Sequence, residues 1–298
     1  MTLSELRFVV SVAHEKNFRR AAIKSFVSQP ALSLAIKKIE TELGVLIFER
    51  NRMGASLTTV GEQIVNQAKK VLEEADKIKE ISALETNTKQ TAIKIGIIYS
   101  IAPYLLPSII PLLKKISPDI ILKAEEDVTK NLIHKLKDGV IDAAIIALPF
   151  DIPGIALQDL YDEPFKVLIP RKHKWNSKKK INTKDLVNEK ILLLDNTHCF
   201  SMQVRDACPG ISNNAEVQAG TSLETIRNMV ASNLGISILP QSATAKNYKN
   251  DAINILSFES PIPFRRVALA YRQGTSKKDS LDIMVEAISS IKDQIIGS

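Results

Sequence analysis

Cys199 and Cys208 are the only thiols in 298 residues, and His198 stands directly before the first of them. A thiol attacks an electrophile as its thiolate, and two thiols can exchange with a disulfide. Near the ordinary thiol pKa of about 8.5, roughly a tenth or less is ionised at neutral pH. A reactive cysteine therefore needs a cation or hydrogen-bond donors beside it. The competing reading makes both cysteines small buried hydrophobes, the common fate of free cysteine, and makes His198 structural. Two cysteines are too few for a disulfide-stapled secreted fold. Met1-Thr2-Leu3-Ser4-Glu5 carries no signal pattern, and no apolar run approaches the roughly 18 residues of a membrane helix. A cytoplasmic protein with no membrane partner is expected, and in that compartment a disulfide is more often transient than structural.

Other chemistries leave no trace. There is no zinc-ligand spacing, no phosphate-cradling glycine loop and no Ser/His/Asp motif, so neither metal nor cofactor is expected. The composition, 45% hydrophobic and 24% charged, is that of a soluble globular chain. The length suits two or three domains. The net charge of +7 favours an anionic partner, nucleic acid first.

The elements that must position these groups fall into three stretches. Residues 1–60 read as a helical unit. Leu6, Val9, Val10 and Ala13 recur at helical spacing. A second helix begins at Phe18-Arg19-Arg20-Ala21-Ala22. A third begins at Ser28-Gln29-Pro30, where Ser28 can cap and Pro30 needs no intrahelical donor. Leu32, Ile36 and Ile39 line its inner face. A short connection between the second and third helices makes a helix-turn-helix. Two short runs about Gly54 suit a two-stranded wing. Residues 61–90 predict a long linker helix to about residue 85, with Ile64, Val71, Ile78 and Ala68, Ala75, Ser82 on a seven-residue seam, then the polar hinge Glu85 to Gln90. The alternative is an amphipathic helix packed on its own domain.

Residues 91–298 alternate strand and helix. Strands are expected at 93–98, 120–122, 141–146, 166–169, 191–194, 236–239 and 267–271. Helices are expected at 105–117, 129–137, from a capping box at Thr221/Glu224 to Met229, and at 281–295. The expectation is a mostly parallel α/β domain of two lobes with a cleft between them.

Phe18-Arg19-Arg20-Ala21-Ala22, Val27 to Ser33, Ile36-Lys37-Lys38-Ile39-Glu40 and Leu43-Gly44-Val45 together resemble the signature of LysR-type transcriptional regulators, without a gap over about thirty residues. Pro103-Tyr104-Leu105-Leu106-Pro107, His198-Cys199 with Cys208, Thr221 to Val230 and Arg265-Arg266 resemble the peroxide-sensing members of that family. The resemblance covers nearly the whole chain. It implies a winged helix-turn-helix, a dimerising linker helix and a two-lobed regulatory domain like a periplasmic binding protein. It further implies a homodimer assembling into a homotetramer, promoter DNA as a partner, and recruitment of RNA polymerase when oxidised. Cys199 would be the nucleophile toward hydrogen peroxide and Cys208 the resolving thiol. Ser100, Thr129, His198 and Arg266 would line the peroxide site, with the hydroxyls orienting the peroxide and steadying the departing oxygen. Taken alone, each hydroxyl reads as a cap or turn residue. Family members usually have threonine at the Ser100 position. They usually follow His-Cys with Leu-Arg-Asp-Gln, where this chain has Phe200-Ser201-Met202-Gln203. The missing arginine removes a positive charge and bears on rate more than on chemistry.

Two consequences follow. A sulfenic acid at Cys199 condenses with a nearby thiol. If 200–207 is helical, however, nine residues at about 1.5 Å each hold the two Cα atoms roughly 13 Å apart. A disulfide needs them within about 7 Å. Oxidation then has to unwind the segment, which ends at Pro209-Gly210. On DNA, Gln29, Pro30 and Ser33 are placed for base edges, Gln toward adenine and Pro30 toward a thymine methyl. Arg19, Arg20, Lys37, Arg50 and Arg52 are placed for phosphates. Two other functions compete. One is a LysR-type regulator answering a small organic effector in the cleft, its cysteines incidental. The other is a thiol peroxidase, which leaves the DNA-binding unit unexplained.

Overall fold

A computed structural model describes residues 1–51, 54–85, 91–150, 152–208, 211, 218–220, 222–245, 248 and 250–296. The chain forms two compact units, Met1–Lys89 and Gln90–Ser298.

In the first unit, α1 (Leu3–Glu15) opens on a reciprocal capping box between Thr2 and Glu5 and buries Leu6, Val9 and Val12. Asn17 caps α2 (Phe18–Lys24), and Ser28 caps α3 (Gln29–Leu43) with Pro30 in its first turn. Gly44 ends α3 in the left-handed conformation that a residue without Cβ adopts at little cost. Leu32, Ile36 and Ile39 are fully buried against Val9, Val12, Ala21 and Ala22, so the three apolar stripes read from spacing meet in one core. The wing is β1 (Phe48–Asn51) paired antiparallel with β2 (Gly54–Leu57). A side chain at Gly54 would collide with the backbone oxygen of Lys16, so the wing packs directly on the end of α1.

Helix α4 (Thr59–Glu85) begins two residues earlier than its periodicity predicts. Its first turns pack on this core through Ile64 and Val65, and Ala68 is buried. Further along the seam, Val71 and Ile78 are exposed, at 37% and 69%. The side chain of Ser82 and the expected hinge at 86–90 lie outside the described residues.

In the second unit, β3 (Thr91–Ile98), α5 (Ala102–Ile116), β4 (Ile120–Asp127), α6 (Thr129–Lys137) and β5 (Ala143–Leu148) form a βαβαβ run with β3 parallel to both β4 and β5. β6 (Ile155–Pro170) then crosses into the second lobe. That lobe holds β7 (Lys180–Ile181), β8 (Ile191–Leu194), α7 (Cys199–Ala207), β9 (Gln218–Gly220), α8 (Leu223–Ala231), β10 (Ile236–Pro240) and β11 (Ile253–Phe258). β12 (Phe264–Arg272) returns to the first lobe, followed by α9 (Lys278–Ser290) and α10 (Lys292–Ile296). The strand order is β4-β3-β5-β12-β6-β10-β8-β9, with β11 on β6 and β7 on β11.

Each lobe has its own apolar core. One is built on β3, β5, α5, α6 and α9, the other on β6, β8, β10 and α8. The expected parallel pairing holds inside the lobes, between β3, β4 and β5 and between β8, β9 and β10. The strands that join the lobes, β6 and β12, pair antiparallel. The sequence reading missed the first eleven residues of β6. Pro164 and the acidic residues Asp159, Asp162 and Glu163 mask the strand: Asp159 and Asp162 are exposed, while Glu163 is buried against a partner far along the chain. Thr221 lies outside the described residues. The side chain of Ser222 caps α8 by accepting from the Thr225 backbone N–H.

Candidate functional site

The candidate residues of the second unit come from the carboxyl ends of its parallel strands, where α/β sheets bind their ligands. Ser100 follows β3, Thr129 opens α6 after β4, and Cys199 opens α7 after β8. Cys199 is half-buried and reduced. The Thr129 hydroxyl donates to Cys199 Sγ at 3.3 Å. Cys199 is the first residue of α7, where unpaired backbone N–H groups and the helix dipole favour an anion. Donor and dipole both stabilise negative charge on the sulfur.

His198 is the N-cap of α7 and makes no side-chain cap bond. Its ring packs edge-on against Tyr99 with centroids 5.6 Å apart, and its Nε2 stands 4.0 Å from the Asp195 carboxylate. His198 and Tyr99 also line a cavity of about 120 Å³ between the lobes, with Glu126 and Glu224 at its polar edge. Pockets for organic ligands usually run from 300 to 1,000 Å³. This one admits a few water-sized molecules.

The arginine is a correction. Arg266 was expected beside the peroxide site. It instead lies on the exposed side of β12, donating to Asp162 at 2.8 Å and standing 3.4 Å from Asp159, which hold its guanidinium above its ordinary pKa. Arg265 is the buried one. Its Nη1 and Nη2 donate to the Ser100 hydroxyl and carbonyl at 2.7 and 2.9 Å. Its Nε donates to Glu163 at 2.8 Å, and both side chains of that pair are 0% exposed. Glu163 also accepts from the Ser242 backbone N–H at 2.9 Å. The Arg265 guanidinium stacks 5.3 Å from the ring of Phe200, the residue after Cys199. Successive side chains on a strand face opposite ways, so only one of two adjacent arginines can point inward. Sequence reasoning missed Glu163 altogether, although its register partner on β12 is Arg265.

Cys208 sits at the far end of α7, fully buried in the second lobe's core. Burial pushes its thiol up to about 12. Helix rise puts about 13 Å between the Cα atoms, outside bonding range. Between the cysteines, Phe200 packs edge-on against Phe165 at 5.5 Å, Val204 is buried, and Ser201 bonds the Leu194 carbonyl. Gln203 is held less well. Its Nε2 reaches the Leu148 carbonyl at 3.3 Å, while its buried Oε1 has no partner among the described residues. Alkylation of the reduced protein at pH 8 is therefore expected to modify Cys199 and spare Cys208 until denaturant is added. Equal labelling in peptide mass spectra would show that Cys208 is not buried in solution.

In the first unit, Gln29, Pro30 and Lys37 are exposed and Ser33 is half-buried, spaced along the face of α3 opposite the core. Arg19 is exposed. Arg20 is also exposed, yet it is tied back to Glu15, its Nε donating to the carboxylate at 3.0 Å and its Nη2 to the carbonyl at 2.9 Å. Arg20 thus joins α1 to α2, a structural duty its sequence position did not suggest. Hydrogen bonds led by that from Lys24 hold Glu15 down to about 2. Arg50 falls in β1, but its side chain, and all of Arg52, lie outside the described residues.

Comparison with known proteins supplies the frame for both units. Residues 3–62 match the bacterial regulatory helix-turn-helix protein family of LysR type, and residues 86–289 match the LysR substrate binding domain. The chain is 36% identical over 295 residues to the DNA-binding transcriptional dual regulator OxyR of Escherichia coli K12, covering 98% of this chain and 96% of that one. It is 35% identical over 290 residues to the hydrogen peroxide-inducible genes activator of Pectobacterium carotovorum, covering 97% and 96%. Among solved structures, a full-length OxyR from Pseudomonas aeruginosa with a cysteine changed to aspartate superposes with a TM-score of 0.81 at 45% identity, covering 97% and 94%. A peroxide-bound cysteine-to-serine OxyR of Corynebacterium glutamicum gives 0.68 at 30%, covering 99% and 94%. With both of its units matched and its relatives aligned nearly end to end, the chain belongs to the LysR family of bacterial transcription regulators.

Proposed function

We propose that this regulator senses hydrogen peroxide at Cys199, records it as a Cys199–Cys208 disulfide, and controls oxidative-stress promoters accordingly. The observation that carries the reading is the reduced Cys199, at a helix N-terminus with a hydroxyl donating to its sulfur, on the same short helix as a buried second thiol. The thiolate attacks one peroxide oxygen and the other leaves as hydroxide, taking up a proton to become water. Thr129, His198 and Ser100 are the groups that orient peroxide and steady the leaving oxygen. Arg265 fixes Ser100 through its hydroxyl and its carbonyl. The resulting sulfenic acid condenses with the Cys208 thiol, releasing water.

Condensation requires Cys208 to leave the core and α7 to unwind. A nine-residue helix is marginal by itself, so α7 persists through its packing. Undocking Phe200 and Val204 costs about 1.5–3 kcal/mol each. The disulfide offsets that cost, and the new path of the 200–211 segment is the bistable element that carries the signal to the assembly. The promoter-bound form is a dimer or tetramer, to which the exposed Val71 and Ile78 of α4 give an apolar seam. RNA polymerase is its partner at the promoter. The site is cytoplasmic, in keeping with a thiol pair that must stay reduced until challenged, and no described helix is long and apolar enough to cross a membrane. The relatives' names do not favour the organic-effector alternative.

Peptide mass spectrometry tests this. Stoichiometric peroxide should join the Cys199 and Cys208 peptides, and Cys208→Ser should instead accumulate sulfenic and then sulfinic acid at Cys199. Peroxide that leaves both thiols free refutes the proposal. On the DNA side, Gln29→Ala or Ser33→Ala should weaken specific binding more than non-specific binding, checked by titration at two salt concentrations. Arg50→Ala should weaken both and flatten the salt slope.

A further inference from the structure

We propose that Phe26 reads DNA, presenting its ring to a thymine C5-methyl group in the major groove from the turn just ahead of α3. Phe26 is 97% exposed. Its backbone is left-handed, with φ of 55°. That conformation is an outlier for a bulky side chain and costs nothing for glycine.

The turn imposes the conformation. Phe26 N–H donates to Ile23 O at 3.2 Å and Val27 N–H to Ala22 O at 3.1 Å. Ala22 is buried on one side of the turn, and Val27 packs on the core on the other. Between those anchors the Phe26 side chain has nowhere to go but outward. For folding alone, glycine or asparagine would serve better at this position. A strained backbone and a fully hydrated aromatic ring are two separate costs at one residue, a combination that marks contact with a partner.

The neighbours say which partner. The ring precedes the exposed Ser28, Gln29 and Pro30 at the start of α3, and Leu34 on the same helix is 70% exposed. Arg19 on α2 and Lys37 on α3 add exposed positive charge to this helix pair, complementary to phosphate. Apolar groups accompanied by cations suit the one apolar feature of the major groove, the thymine methyl. The inference rests on α3 being the recognition helix.

The test uses the full-length chain and a duplex that the unaltered protein selects from a random pool. Each thymine is replaced in turn by deoxyuridine, which pairs alike but lacks the methyl, and affinity is read by fluorescence anisotropy. For the unaltered protein, loss of one methyl per half-site should weaken binding about three- to tenfold, the scale of one apolar contact. Phe26→Ala should bind the all-thymine duplex more weakly by a similar factor. It should be indifferent to that methyl while keeping every other penalty. Phe26→Gly should match Phe26→Ala on DNA and yet melt at a higher temperature than the unaltered chain, because the turn strain is relieved. The proposal is overturned if Phe26→Ala retains every methyl penalty, or if no methyl matters to the unaltered protein. A change in subunit number on sedimentation of Phe26→Ala also overturns it, by assigning the ring to a protein interface. Gln29→Ala on the same duplexes separates the causes. If it too changes nothing, α3 is not the reading helix; if it alters binding and Phe26→Ala does not, only the role of Phe26 fails.

Discussion

Cys199→Ser leaves a protein that folds and binds promoter DNA but no longer changes its binding or promoter activity with hydrogen peroxide. The loss is expected to be complete, because no third cysteine exists to substitute. The Thr129 hydroxyl that donates to Cys199 Sγ would then face a serine oxygen, which is not a nucleophile toward peroxide at neutral pH. Stopped-flow consumption of stoichiometric peroxide checks it. A Cys199→Ser chain that reacts at the unaltered rate would place the nucleophile elsewhere. Thr129→Val is the milder companion, slowing the reaction while leaving the Cys208 end of α7 as it is.

The second large effect concerns the buried pair beneath the site. Arg265→Ala removes the guanidinium that pairs with Glu163 Oε2 and strips two hydrogen bonds from Ser100. Leaving one charge of a buried pair without its partner costs about 3–5 kcal/mol. Urea unfolding of the regulatory unit should show a loss of that order. A loss below about 1 kcal/mol would mean that water or another cation reaches Glu163. Replacing both members with methionine should recover most of the stability, since a buried ion pair is worth little against a well-packed apolar pair. Peroxide reactivity should remain slow in that double variant, because Ser100 stays unanchored. Stability and rate thus separate the structural duty of the pair from its chemical one.

Much of this was legible in the chain. The helix-turn-helix could be read because independent local signals agree. The Leu32, Ile36 and Ile39 stripe and the Ser28 cap with Pro30 inside it specify α3, the family signature covers the same stretch, and packing overrides none of them. The family resemblance, not the alternation, grouped Ser100, Thr129 and Cys199, residues up to 99 positions apart in sequence; the fold then sets each of them just after a strand. The distance problem followed from helix rise on the condition that 200–207 is helical, and α7 meets that condition.

What failed was facing. Arg265 and Arg266 are adjacent, and the choice between them depends on which side of β12 meets the core. Arg265 shares its inward face with Val267, and a register shift follows between Val267 and Ala268. Such an irregularity breaks the period-2 pattern from which the facing would have been read. Glu163 was invisible because a buried carboxylate is legible only through its partner, which lies 102 positions away. Net charge also misled in detail. Residues 1–89 carry 14 basic and 11 acidic side chains, whereas the stretch 171–190 carries eight basic against two acidic. The positive excess of the chain is thus concentrated in the second lobe, and motif rather than charge locates the DNA-binding unit.

Hydrogen exchange across residues 200–211, before and after stoichiometric peroxide, tests the central claim most directly. In the reduced protein the α7 amides should be protected, since Phe200, Val204 and Cys208 are buried. Once the Cys199–Cys208 disulfide is mapped in the same sample, those amides should exchange far faster, with smaller changes elsewhere in the regulatory unit. A disulfide that forms while the exchange pattern of 200–207 stays unchanged would contradict the refolding mechanism.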